Sequence, residues 1–185
     1  MLMGLLVFLM LVSLLGGCGK KKPRVDPEYD FPTGWWMNKG IPEVLEIKYT
    51  DDPSNTAKKC FRLKGATWED GEYGENFGFV ALTITDDIPI GKKVKVEVRI
   101  KTKGVKGNGP AITIRCDDTP YASGDAEQFT YSGFIGQKGT SDWKTYTLEL
   151  EEEIQQGTQS VTIYLIFSPK TSGTIYYDLI SYEFI

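Results

Sequence analysis

Lys93-Val94-Lys95-Val96-Glu97-Val98-Arg99-Ile100-Lys101 alternates charged and branched aliphatic side chains without a break. Successive side chains of an extended strand point to opposite faces, so this period of two puts Val94, Val96, Val98 and Ile100 on one side and Lys95, Glu97, Arg99 and Lys101 on the other. The segment reads as a half-buried strand of an antiparallel sheet. Working outward, runs rich in β-branched and aromatic residues at 44–50, 59–63, 77–85, 111–116, 127–132, 144–150, 160–167 and 174–185 are predicted as further strands. Turn-forming clusters separate them: Asp52-Pro53-Ser54-Asn55, Ile90-Gly91-Lys92, Gly107-Asn108-Gly109-Pro110 and Ser168-Pro169-Lys170-Thr171-Ser172-Gly173. No stretch keeps a helical period, and 151–156 is too short and polar to count. Strands without helices must cover their apolar faces with one another. The expected fold is therefore all-β, a two-sheet antiparallel β-sandwich spanning residues 34–185.

Residues 1–17 are apolar and carry no charge, and Lys20, Lys21 and Lys22 follow at once. The run falls short of the roughly 20 residues a membrane-spanning helix requires, and it reads as the hydrophobic region of an export signal. Leu15-Gly16-Gly17-Cys18 resembles the lipobox of bacterial lipoproteins. The resemblance implies cleavage before Cys18 and lipidation of its thiol; an ordinary secretory signal with an incidental Cys is the other reading. Residues 18–33 are polar and broken by Pro23, Pro27 and Pro32, as in an extended linker, and the Lys20 to Arg24 cluster suits a tether beside anionic headgroups. The expected address is the cell envelope, with the membrane as a partner through the lipid anchor. Gly19 stands where many inner-membrane lipoproteins carry Asp, which points to the outer membrane.

A net charge of −4 gives no electrostatic basis for nucleic-acid binding. The chain has no histidine, which excludes Ser-His-Asp and Cys-His catalysis and every zinc site built on imidazole. Glycosidase chemistry needs only two carboxylates at a controlled separation. Glu69, Asp70, Glu72 and Glu75 read as a solvated loop, however, and Glu151, Glu152 and Glu153 as a charged turn. No enzyme activity is expected. Cys60 and Cys116 both lie in apolar strand patterns, and a bridge and two buried free thiols stand as equal readings.

The segments Gly139-Thr140-Ser141-Asp142-Trp143-Lys144-Thr145-Tyr146, Val161-Thr162-Ile163-Tyr164-Leu165 and Gly173-Thr174-Ile175-Tyr176-Tyr177-Asp178-Leu179-Ile180-Ser181-Tyr182-Glu183 resemble the closing half of galactose-binding-domain-like jelly rolls. That superfamily includes many carbohydrate-binding modules. Ala57-Lys58-Lys59-Cys60-Phe61-Arg62-Leu63 resembles its early strand, and the Lys101-Thr102 pair the end of its central strand. The resemblance implies a glycan ligand held on a concave sheet, and it makes Trp143 a packing residue. It also implies a structural calcium with Asp178 as a late-strand ligand. The family's second adjacent Asp is Leu179 here, so two roles stand open for Asp178: a calcium ligand, or a cap for backbone donors.

Sugar binding calls for an aromatic surface flanked by polar side chains. Strand parity puts Glu97 and Arg99, then Arg115, then Tyr164 opposite their core-facing neighbours. If these strands share a sheet, the four form one polar surface; the competing reading is a solvated face of cross-strand charge pairs. Loop-region aromatics add Trp35, Trp36, Trp68, Tyr73, Tyr121, Phe129 and Tyr131. Adjacent Trp35 and Trp36 must point to opposite sides, so one at most is a platform, and Trp36 is the candidate. Trp68, beside Glu69, Asp70 and Gly71, is the first choice for an exposed ring. The expected function is non-catalytic carbohydrate binding by an envelope lipoprotein. The alternative is an envelope structural or protein-interaction module without glycan binding.

Overall fold

The alternating segment forms a continuous inner surface. In the computed structural model, which describes residues 31–40, 44–66, 77–122 and 126–185, it lies in β5 (Val94–Lys106), with Val94, Val96, Val98 and Ile100 fully buried. Burying such a side chain contributes roughly 1.5–3 kcal/mol, an upper figure because the unfolded chain is already partly collapsed. The other described strands are β1 (Trp35–Asn38), β2 (Leu45–Asp52), β3 (Asn55–Gly65), β4 (Gly78–Ile84), β6 (Pro110–Asp117), β7 (Gln128–Tyr131), β8 (Gly139–Glu149), β9 (Ser160–Phe167) and β10 (Ser172–Phe184).

The described strands make two five-stranded antiparallel sheets, ordered β1-β4-β9-β6-β7 and β2-β3-β10-β5-β8. They face each other as a sandwich, and the core between them is built from Ile112, Ile114, Ile163 and Leu165 of the first sheet against Phe61, Leu63, Val98 and Ile175 of the second. Tyr177, on the inner side of β10, reaches across this core. Its hydroxyl donates to the Ile166 carbonyl at 2.6 Å and lies 3.4 Å from that of Ala111.

The strand β1 was not expected from sequence. Trp35-Trp36-Met37-Asn38 pairs with Leu82, Ala81, Val80 and Phe79 of β4 at the edge of the first sheet. Trp35 enters the core against Phe61, and Trp36 turns the opposite way, as adjacent strand residues must. Cys60 and Cys116 are both free thiols in the interior, so the bridged reading fails. Burial pushes the Cys60 thiol up to about 12 and the Cys116 thiol up to about 11.

Candidate functional site

The shared surface expected for Glu97, Arg99, Arg115 and Tyr164 does not exist. β5 lies in the second sheet, whereas β6 and β9 lie in the first, so Glu97 and Arg99 face away from the core on one side of the sandwich and Arg115 and Tyr164 on the other. The chain crosses between layers on passing from β4 to β5 and again from β5 to β6. Parity fixes which side of a strand is apolar, but not which sheet the strand joins.

On the first sheet the registers align Trp36, Ala81, Tyr164, Thr113 and Tyr131 in one row across all five strands. A parallel row holds Thr83, Thr162, Arg115 and Phe129. Trp36, Tyr164 and Arg115 thus share a face, as half of the expected set. Tyr164 is only 8% exposed there. It packs with Phe79, whose ring lies 4.9 Å away, and with Trp36 at 6.0 Å, and its desolvation raises the phenol to about 12. β9 is buried along both faces because it is the central strand, with Val161, Ile163 and Leu165 in the core and Tyr164 and Ile166 in a second apolar cluster. The Trp36 indole N–H donates to Thr83 Oγ1 at 2.9 Å, which fixes the ring in its plane.

The open part of this face lies at the β7 edge. Phe129 and Tyr131 are both exposed and their near-parallel rings sit 6.4 Å apart; Phe134 stands edge-on to Tyr131 at 6.1 Å, also exposed. Residues two apart on one strand project to the same side, which makes a ribbon of rings. Beside it Arg115 Nε donates to both carboxylate oxygens of Asp117 at 2.9 Å, and Nη2 adds a third contact at 2.6 Å. Asp117 is nearly inaccessible, so the guanidinium is held rigidly and its charge is matched. Between Tyr164 and Tyr131, the Thr113 side chain is buried beneath this face. Rings for stacking and a fixed planar donor are groups that hold a sugar by its apolar face and its hydroxyls. Phe129 and Tyr131 were legible as surplus aromatics, and they lie in β7, within the strand expected at 127–132; Phe134 was missed.

On the second sheet Arg99 is committed to the protein itself. Its guanidinium donates to Asp178 Oδ2, from Nε at 3.1 Å and also from Nη2, and lies 3.7 Å from the buried Asp52 carboxylate. Trp143 covers it at 4.9 Å and donates its indole N–H to Asp52 at 3.2 Å. Trp143 does pack, as expected, but onto Arg99 on the outer face and not into the core. Glu97 stands on the same strand face, opposite Thr147 and Ser181. An arginine occupies the space in front of Asp178, and among the described residues no group of three His, Cys, Asp or Glu side chains assembles that could hold a metal. The Asp178 carboxylate that the resemblance gave to calcium is thus engaged by Arg99. Trp68 and Cys18 lie outside the described residues.

No family model matches the sequence, and no curated protein matches it. Solved structures do resemble it. The CBM22-1 xylan-binding domain of Paenibacillus barcinonensis Xyn10C aligns with a TM-score of 0.54 at 18% identity, over 83% of this chain and 86% of that one. The enzymatically active domain of tailspike protein 4 from bacteriophage CBA120 aligns with a TM-score of 0.58 at 19% identity, over 82% of this chain. An arabinose-bound α-L-arabinofuranosidase aligns with a TM-score of 0.56 at 12% identity, again over 82%. The chain spans 19% of the tailspike structure and 23% of the arabinofuranosidase. At these identities the likeness is one of fold, a β-sandwich that recurs alone and as part of larger chains.

Proposed function

We propose that this chain is a non-catalytic glycan-binding lipoprotein of the cell envelope, and that its glycan lies along the outer face of the first sheet at the β7 edge. The observation that carries the reading is the ribbon of exposed rings, Phe129, Tyr131 and Phe134, beside the fixed Arg115–Asp117 pair. The xylan-binding domain among the structural neighbours supports a glycan ligand at the level of fold. Leu15-Gly16-Gly17-Cys18 supports the lipid anchor and, with Gly19, the outer-membrane address. Because Arg115 is neutralised by Asp117, this face suits an uncharged polysaccharide better than an acidic one.

The test is binding of the chain to an array of neutral plant, algal and host glycans, with Phe129→Ala/Tyr131→Ala as the site variant. Each stacked ring contributes on the order of 1 kcal/mol, so the double variant is expected to weaken binding roughly thirtyfold. An array on which nothing binds overturns the reading. The alternative, a protein-interaction module, then gains ground, and the observation on its side is the set of exposed apolar side chains Ile180 and Tyr182 at the end of β10 and Ile185 just after it.

A further inference from the structure

The outer face of the second sheet carries a different chemistry. Lys48, Arg62, Tyr176 and Lys101 are register partners in one row across β2, β3, β10 and β5; Glu46, Lys64, Thr174 and Lys103 form the next. Five cations thus gather on one face of a chain whose net charge is −4. Glu46 is paired with Lys48 and with Arg62, the latter at 3.0 Å, and Asp142 takes Lys101 at 2.7 Å. Lys64 and Lys103 flank Thr174 and form no ion pair among the described residues, and the two strand spacings between them amount to roughly 10 Å. Between them lies an open depression of about 440 Å³, lined by Arg62, Lys64, Lys103, Gly104, Thr174 and Tyr176. Tyr176 supplies a flat ring, set edge-on against Trp143 at 6.5 Å.

From this arrangement we infer that the second sheet bears a separate site for an acidic polysaccharide, one whose sugar units carry carboxylates. The sugar ring rests on Tyr176, and its carboxylate lies between the Lys64 and Lys103 ammonium groups. Arg62, already oriented by Glu46, adds directional donors beside them. Charge complementarity selects the anion, and the depression with its aromatic ring selects a sugar over a lipid surface. The exposed apolar side chains at Ile180, Tyr182 and Ile185, which a bilayer would take up, belong to the far half of β10 and the residue that follows it. This site stands independently of the neutral-glycan face, since the two lie on opposite sides of the sandwich.

The experiment measures affinity of the full chain for polygalacturonate, with neutral xylan, dextran sulfate and phosphatidylglycerol vesicles as the other probes. Three variants are compared, each checked for the β-sheet signature in circular dichroism: Lys64→Glu/Lys103→Glu, Tyr176→Ala, and Phe129→Ala/Tyr131→Ala. Polygalacturonate is expected to bind the parent chain, and each of the two second-sheet variants to lose roughly tenfold or more in affinity. The first-sheet variant should change it by less than about twofold, whatever it does to neutral glycans. The inference is overturned if the parent chain does not bind polygalacturonate or if Tyr176→Ala leaves binding intact. It is also overturned if dextran sulfate or the vesicles bind as tightly as polygalacturonate, since charge alone would then explain the face.

Discussion

Arg99 shows how a residue can look like a binding group in sequence and serve as a strut in the fold. It sits between Asp178 on β10 and Asp52 at the β2–β3 turn, under the Trp143 ring. Asp52 is buried and has further work, accepting the Ser54 backbone N–H at 2.7 Å to shape that turn. Removing the guanidinium leaves two carboxylates without their shared cation, the Asp52 one buried, which is costlier than losing an exposed pair. Arg99→Ala is expected to destabilise the fold by about 2 kcal/mol, read as a lower urea midpoint at unchanged slope. Lys95→Ala, which breaks the exposed contact with Glu183, should leave the midpoint in place. An unmoved midpoint for Arg99→Ala would return that residue to the list of ligand groups.

At the scale of the element, the two layers interlock where a small residue admits a large one. Gly65 ends the inner side of β3, and the fully buried Phe167 ring of β9 lies within 2.5 Å of where a Cβ would stand. Gly65→Ala should therefore cost about 1–3 kcal/mol by overpacking, since the enclosed ring must shift to admit a Cβ. Gly91→Ala meets nothing within 4 Å and bears only the strain of φ +78°, about 1 kcal/mol. Equal urea midpoints for the two variants would show that the layers do not interlock there. This scale also marks where sequence reading stopped. The alternation at 93–101 and the long run at 160–167 announced β5 and β9, because the side-chain period is local information. The four residues of β1 offered too short a window, and two adjacent Trp residues hid the alternation. Neighbour relations between strands are non-local, so the face shared by Trp36, Tyr164 and Arg115 was legible only in part; β7 and its two rings were legible as a strand, but not as the open edge of that face. Residues 41–43, 67–76 and 123–125, Trp68 among them, add nothing to that comparison, since they lie outside the described residues.

For the molecule as a whole, the burial of neutral acids sets a direction in pH. Cys60 and Tyr164 are held up to about 12, Cys116 up to about 11, and Tyr177, wholly enclosed, well above the usual phenol value; desolvation is the leading cause in all four. Each pKa is higher in the folded chain than in the unfolded one, where thiols and phenols titrate near 9 and 10. Above about pH 9 the unfolded chain therefore releases protons that the folded chain retains, and stability falls as pH rises through that range toward 12. On the acid side Glu46, held low by its hydrogen bond from Lys48, and Asp142, held low by Lys101, contribute stability that is present above about pH 4 and lost below it. Both are surface groups, so the acid limb should be shallow and the alkaline limb steep. The expected thermal profile is a plateau from roughly pH 5 to 8.5, followed by a melting temperature that drops with every further step. Both thiols should stay unreactive toward a disulfide reagent until that drop begins, because a buried, protonated thiol is neither accessible nor nucleophilic. A melting temperature that holds level to pH 11, or thiols that react at pH 8 in the folded chain, would mean that this interior admits water and that the sandwich is more open than its packing implies.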